Sequence, residues 1–399
     1  MQKENHEIWF EGVDIINYPR TVLPNETEIL IVGGGITGIS SAYLLSKIGK
    51  KVILLEKEKL GEYVTDCTTG FLTEAIDVPP NKLIKLFGED TSRLILESHK
   101  KAIDDVEKII ISEKIECEFK RCSNYIYANN KKEENALLKI AEDYKKLGVN
   151  AEYKKDNVLG FNEFGHIEIF NQAKFNAIKY ITSLAKIAVK NGAVIAENTE
   201  VLSLNNKEDN VLVTIKDAGI INAKKVLSAT YFPFGKPDYL EHEYNMYRSY
   251  VVEYKIPANI FVEGTYQDNL DPYHYFRIDK KGDFDRLIIG GNDNLDILNI
   301  DHEIGAKIIK DYAKAFFKNI DLIEIRHWSG LISNPVTGLA HIGEFKEKNI
   351  FYAFGFNGTG MTYSYIASKI FFDQLTSQNN PYSKIYSTGN KISWWKNIF

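Results

Sequence analysis

Residues 29–56 read ILIVGGGITGISSAYLLSKIGKKVILLE, and the reading of this stretch decides the fold. Ile29 to Val32 form a short apolar run ending on three glycines, the pattern of a buried parallel strand. Ile36 to Ile48 carry helical periodicity, and Gly49 stops the helix. Lys51 to Leu55 form a second strand that ends at Glu56. Strand, turn, helix and strand make a right-handed βαβ unit of the doubly wound type.

The turn has its own chemistry. Gly33, Gly35 and Gly38 stand in GxGxxG spacing, directly after a strand and opening a helix. Gly33 permits the tight turn, Gly35 lets backbone approach a pyrophosphate, and Gly38 lets helix and strand pack closely. Unpaired N–H groups of Ile36 and Thr37 at the positive helix end would receive the phosphates. Glu56 is placed to accept hydrogen bonds from ribose hydroxyls, with Lys57 beside it, and its charge disfavours a 2′-phosphate. Glycine spacing alone does not separate FAD from NAD. Near the other terminus, residues 353–375 read AFGFNGTGMTYSYIASKIFFDQL, again a strand, a glycine-rich turn and an apolar helix. Backbone N–H groups around Gly360, Met361 and Thr362 are suited to negative charge on a reduced flavin. No second GxGxxG unit and no CxxC pair occur, which argues against a separate nicotinamide domain.

Working outward, helices are expected at Thr91–Lys114, Glu133–Leu147, Phe175–Asn191, Ile304–Phe317 and Gly360–Leu375. Strands are expected at Cys117–Tyr127, Ala193–Ala196, Glu200–Leu204, Val211–Ile215, Lys225–Ala229 and Ile350–Phe354, with a tyrosine-rich group over Tyr244–Ile289. The fold class is therefore α/β. A Rossmann-like doubly wound domain is assigned residues 1–80, 154–240 and 326–399. An inserted α+β substrate domain on an antiparallel sheet is assigned residues 81–153 and 241–325.

Composition bounds the function. The 399 residues are 44% hydrophobic and 26% charged, with a formal net charge of −5. That balance gives no electrostatic case for nucleic acid, and runs such as KKEENALLKIAEDYKK (131–146) read as solvated helix faces. Cys67, Cys117 and Cys122 make neither a disulfide framework nor a metal-ligand pattern, so no metal site is expected. No stretch of about eighteen apolar residues suggests a transmembrane segment, and a cytoplasmic location is expected. Trp394 and Trp395 are expected to cover an exposed edge.

The chain resembles the D-amino-acid oxidase/glycine oxidase superfamily of FAD-dependent oxidoreductases. The likeness rests on residues 33–58 and on TTGFLT (68–73), NTEVLSL (198–204), LSATYFPF (227–234), RLIIGGND (286–293), WSGLISNPVTGLAHIG (328–343) and GFNGTGMT (355–362). WFEGVDIINYP (9–19), ATYFPF and NPYSKIY (380–386) look most like a branch that often carries a C-terminal Rieske domain. The cysteine and histidine pairs of such a domain are missing here, so the resemblance implies a member without it. FAD is the cofactor implied, and oxygen or a separate acceptor takes the electrons. The resemblance adds Thr68, Thr69, Gly70, Val201, Ala229, Thr230, His341, Gly355, Gly358 and Thr359 to the cofactor-binding set. Two departures matter. Amino-acid oxidases of the superfamily place a carboxylate-binding arginine where this chain has Ile332, and the sarcosine oxidase branch places a lysine where it has Thr362.

The activity implied is oxidation of a small amine or amino-acid-like substrate by hydride transfer to flavin N5. The candidate substrate-side residues are Tyr275 and Arg277 on one face of the HYFRI strand (274–278), and Arg248 and Tyr250 on a neighbouring strand. A structural salt bridge is the plain alternative for Arg277, as core packing is for Tyr250. Cys67 is read either as an attachment point for flavin or as a free thiol. Three other functions stay open: a dehydrogenase of a hydroxyl compound, whose phosphate would be met by Arg248 and Arg277; a flavin-bearing subunit that needs a partner protein; and an NAD dehydrogenase. Oligomeric state is unknown from the sequence.

Overall fold

The structure, a computed structural model, describes residues 7–20, 22–160, 164–232, 234, 244–270, 273–295, 301–344 and 348–387. Trp394 and Trp395 lie outside them. Two sheets organise these residues, with eight and nine strands.

The first sheet is built on five parallel strands in the order Ile350–Phe354, Gly219–Ser228, Glu26–Val32, Val52–Leu55 and Val194–Ala196. Glu26–Val32 lies at the centre, which is why ILIV is apolar on both faces. Helices Ile36–Lys47, Ala177–Lys190 and Gly360–Leu375 cover one face. Ile36–Lys47 packs against both of the others, so nearly its whole circumference is buried. The hairpin of Val201–Asn206 and Val211–Ile215 folds over the other face, where Val211, Val213 and Ile215 meet Leu30, Val32 and Ile53.

The second sheet runs Ile323–Pro335, Tyr244–Pro257, Phe284–Leu295, His274–Lys280, Gly264–Gln267, Lys120–Tyr127, His166–Lys174, Phe71–Leu72. It is antiparallel apart from Gly264–Gln267, which pairs in parallel with Lys120–Tyr127. Helix His302–Phe316 packs on one face through Ile309 and Ala313. Three strands of this sheet fall wholly or mostly outside the segments expected for it: Phe71–Leu72, His166–Lys174 and Ile323–Pro335 from residue 326 onward. The chain first enters the second sheet at Phe71, about ten residues before the expected boundary, and leaves it at Lys174 and Pro335, about twenty and ten residues beyond the expected ones, because pairing with strands distant in sequence decides which sheet these segments join.

A register shift between Arg248 and Tyr250 interrupts the pairing of Tyr244–Pro257 with Phe284–Leu295. Opposite it, Gly291 takes φ +139°. Such a bulge re-aims the side chains beside it, here on the wall between the two sheets.

Candidate functional site

The first glycine turn is sterically committed. Gly33 has φ +108°, and an added Cβ would lie 2.5 Å from the Ala229 carbonyl oxygen. A Cβ on Gly38 would lie 1.9 Å from the Gly33 carbonyl oxygen. Helix Ile36–Lys47 therefore starts hard against its strand, with Gly35 at its N-cap. The Ile36 N–H donates to Thr65 Oγ1 at 3.2 Å. Glu56 accepts the Gly34 N–H at 2.6 Å and the Glu58 N–H at 2.8 Å. Burial raises its carboxyl above the usual range, and these two N–H groups oppose the rise.

The second turn arrives from the opposite end of the chain. Gly355 has φ +71°, Asn357–Thr359 form a 3-10 turn, and helix Gly360–Leu375 follows without a side-chain cap. Its start is tied to the first helix, since Thr37 Oγ1 donates to Ser364 Oγ at 3.0 Å and Ser368 Oγ donates to the Thr37 carbonyl. Gly358 N–H donates to Asp77 Oδ2 at 2.7 Å.

Both turns line one cavity of about 710 Å³. Gly33, Gly35, Ile36, Thr37, Glu56, Lys57, Val201, Ala229 and Thr230 wall one end. Gly355, Gly358, Thr359, Gly360 and Met361 wall the other, with Thr68 and Thr69 along the side. Ser249, Val251, Gln267, Tyr273 and Tyr275 close it from the second sheet, and Leu331 and Ile332 from the neighbouring strand. The size suits a cofactor with a small substrate beside it. An N–H cradle at one helix start, a carboxylate at the end of the adjacent strand and a second uncapped helix start fit a dinucleotide whose far end is a flavin.

Several expected residues stand elsewhere. Arg277 is 1% exposed, and its guanidinium donates to Asp279 and to the Thr69 and Phe175 carbonyls while lying over the Trp9 ring. It braces the Thr68–Gly70 loop from behind and does not reach the cavity. Arg248 donates to Ser329 Oγ, and Tyr250 packs against Gly305 and His302. Both face helix His302–Phe316, because the strand turns Ser249 and Val251, not its even-numbered residues, to the cavity. His341 is buried with its ring stacked on Phe354, off the cavity wall. Thr362 is fully buried, bonded to His99 Nδ1 at 2.9 Å and to the Thr359 carbonyl. It supports the turn from beneath, against a His99 ring that burial keeps neutral by lowering its pKa to about 3. Gly38 and Gly70 act as close contacts in the scaffold. An added Cβ on Gly70 would meet the Phe175 carbonyl oxygen at 2.5 Å.

Tyr275 does face the cavity, its hydroxyl 3.2 Å from Ser249 Oγ and its ring edge-on to Phe71. Asp77, Tyr273, Ser249 and Gln267 escaped sequence reasoning. Asp77 follows TTGFLT by only four residues, but nothing in its spacing signals that a turn some 280 residues later will meet it. Cys67 also lines the cavity, with Sγ toward the Tyr63 carbonyl at 3.1 Å.

Comparison with known proteins settles the class. The family described as FAD dependent oxidoreductase matches residues 28–374. The chain belongs to that family. It is an FAD-dependent oxidoreductase, which sets the nicotinamide alternative aside. Among its relatives, the putative Rieske 2Fe-2S iron-sulfur protein YhfW of Bacillus subtilis (strain 168) is 29% identical over 394 residues, 95% of this chain and 74% of that protein. Gamma-glutamylputrescine oxidoreductase of Escherichia coli (strain K12) is 22% identical over 87% of this chain and 83% of its own. Glycine oxidase from Geobacillus kaustophilus superposes with a TM-score of 0.77 at 18% identity, covering 92% of this chain and 99% of that one. The chain pairs a sheet that carries both glycine turns with a second sheet that closes the cavity. Among the described residues no helix is long and apolar enough to cross a membrane, and no group of three or more His, Cys, Asp or Glu is arranged to hold a metal ion.

Proposed function

We propose that this FAD-dependent oxidoreductase oxidises a small amine or amino-acid-like compound at a carbon bearing nitrogen. The observation that carries the proposal is the single cavity, which runs from the Gly33–Gly38 turn to the Gly355–Met361 turn and ends on the Tyr273–Tyr275 wall. Gly33, Gly35, Ile36 and Thr37 would hold the pyrophosphate, and Glu56 the ribose hydroxyls, with Lys57, Val201, Ala229 and Thr230 around the adenosine. Thr68, Thr69 and Gly358 to Met361 would hold the flavin, with Thr362 supporting their turn. FAD bound there would supply a hydride acceptor. The protein's part is to orient the C–H bond within about 3–3.5 Å of the acceptor and to exclude water. Tyr275 and Ser249 supply the polar contacts, while Val251, Leu331 and Ile332 keep that end dry. Oxygen or a separate acceptor removes the electrons afterwards. Burial pushes the Cys117 thiol up to about 12 and Cys122 up to about 11, so both are poor nucleophiles and take no part in the chemistry proposed.

A hydroxyl substrate carrying phosphate has less support, because Arg248 and Arg277 both point away from the cavity. The test is anaerobic mixing of the purified yellow protein with a panel of amines, amino acids and polyol phosphates, following flavin absorbance. Bleaching by a nitrogen compound supports the proposal. Bleaching by a polyol phosphate alone would sink it.

A further inference from the structure

The charges around the cavity are unevenly placed. Among the described residues that line it, the charged side chains are Glu56, Lys57, Glu62, Asp77 and Glu200. Lys57, the one cation, stands next to Glu56 with its ammonium 5.1 Å from the Tyr63 ring centroid, at the end away from the second sheet. Asp77 alone stands against the tyrosine wall. A Cβ on Gly358 would lie 3.2 Å and 3.3 Å from the two Asp77 oxygens and 3.3 Å from the Tyr273 hydroxyl oxygen, so carboxylate and phenol flank the same point.

Among the described residues no cation pairs with this carboxylate. Asp77 Oδ2 accepts the Gly358 N–H, and Oδ1 has no partner among the described residues. Although Asp77 is open to the cavity, the protein packed round it raises its carboxyl above the usual range, the Gly358 N–H opposing. Behind Tyr273 stands a second carboxylate, Asp293, to which the Tyr273 hydroxyl donates, leaving the phenol lone pairs free. Asp293 also accepts from Ser249, while its enclosed Oδ1 has no hydrogen-bond partner among the described residues. Its pKa is pushed up to about 6, chiefly by burial. Ile332 occupies the wall on the other side. An anionic group entering here meets like charge and hydrocarbon; a cationic one meets a carboxylate and a polarised phenol oxygen.

Building on the proposed amine oxidation, we infer that Asp77 and Tyr273 form the recognition pole for an ammonium group, so that the substrate class is a basic amine without an α-carboxylate. Asp77 is the specificity-determining residue, and Asp293 orients the Tyr273 hydroxyl.

The experiment is an anaerobic titration of holoenzyme and Asp77→Asn with 1,4-diaminobutane and N-methylbutylamine, against glycine and L-proline. Dissociation constants are read from the shift in flavin absorbance before bleaching, and bound FAD is counted separately. Asparagine keeps an oxygen for the Gly358 N–H, so the FAD content of Asp77→Asn stays at the wild-type level. At least one amine binds and bleaches the wild type faster than either amino acid, and Asp77→Asn binds that amine about 10- to 100-fold more weakly. Asp77→Glu recovers part of the loss. Equal amine affinity in wild type and Asp77→Asn overturns the inference, as does bleaching by glycine or proline alone, which leaves the amine-oxidation proposal standing. If no nitrogen compound perturbs the flavin, both fall together.

Discussion

At residue scale, the tightest constraint is the 1.9 Å that would separate a Gly38 Cβ from the Gly33 carbonyl oxygen. Gly38→Ala must push helix from strand, and it lowers stability by about 1–3 kcal/mol together with the fraction of molecules holding FAD. Thermal unfolding and a flavin-to-protein absorbance ratio measure the two effects. A second residue sets a pH dependence. Glu74 is 3% exposed, and burial raises its pKa from 4.5 to about 7, the Gln172 amide opposing, with Lys100, Asp104 and Arg121 adding smaller charge effects. Between those values the unfolded chain has released the proton and the folded one keeps it. Stability therefore falls as pH rises through this window, by about 3 kcal/mol at most. Glu74→Gln removes the penalty, so its melting temperature exceeds wild type at pH 8 but not at pH 4. The glycines and Glu56 were legible in the sequence because their geometry is set within one βαβ unit. Arg248 and Tyr250 were not, because the bulge beside Ser249 decides which side chains of that strand face the cavity.

At the scale of elements, Arg277 joins pieces that sequence keeps far apart. It ties strand His274–Lys280 to the Thr68–Gly70 loop and to the start of helix Ala177–Lys190, under the Trp9 ring. Lys174 and Arg286 share its Asp279 partner, whose carboxyl these cations hold well below the usual range against the cost of burial. Arg277→Ala leaves that cluster one charge short and costs about 3–5 kcal/mol, with flavin loss on gel filtration as a second sign. Arg248→Ala, acting on the helix-covered face, leaves the rate of flavin bleaching by the best substrate unchanged in stopped flow. Helix Gly360–Leu375 and strand Ile350–Phe354 have the bounds that periodicity indicated, since both are continuous apolar elements joined by one glycine-rich turn. His166–Lys174 was missed as a strand of the second sheet. Its alternation is broken by buried polar residues, Gln172 and Lys174, whose partners lie on other segments.

At the scale of the molecule, the cavity proposed for FAD is lined from both sheets, so flavin binding there would be coupled to folding. Stripping the flavin lowers the melting temperature, and adding FAD back raises it progressively. At a thousandfold excess over the dissociation constant the gain is about 4 kcal/mol, read as a concentration-dependent midpoint in scanning calorimetry. The two-turn convergence was visible in sequence because each turn carries its own glycines. The seam itself was not, because the pairing that brings Phe71–Leu72, His166–Lys174 and Ile323–Pro335 into the second sheet joins segments far apart in sequence. The cavity walls run from Val32 to Ser364, and this order has a consequence for biosynthesis. The first wall residues leave the ribosome long before the last, on the order of 20–60 s earlier at ordinary elongation rates. A nascent chain offers only half a cradle for nearly all that time. Flavin capture therefore waits until the second turn has left the ribosome, and the colourless form is an obligatory stage in the life of every molecule.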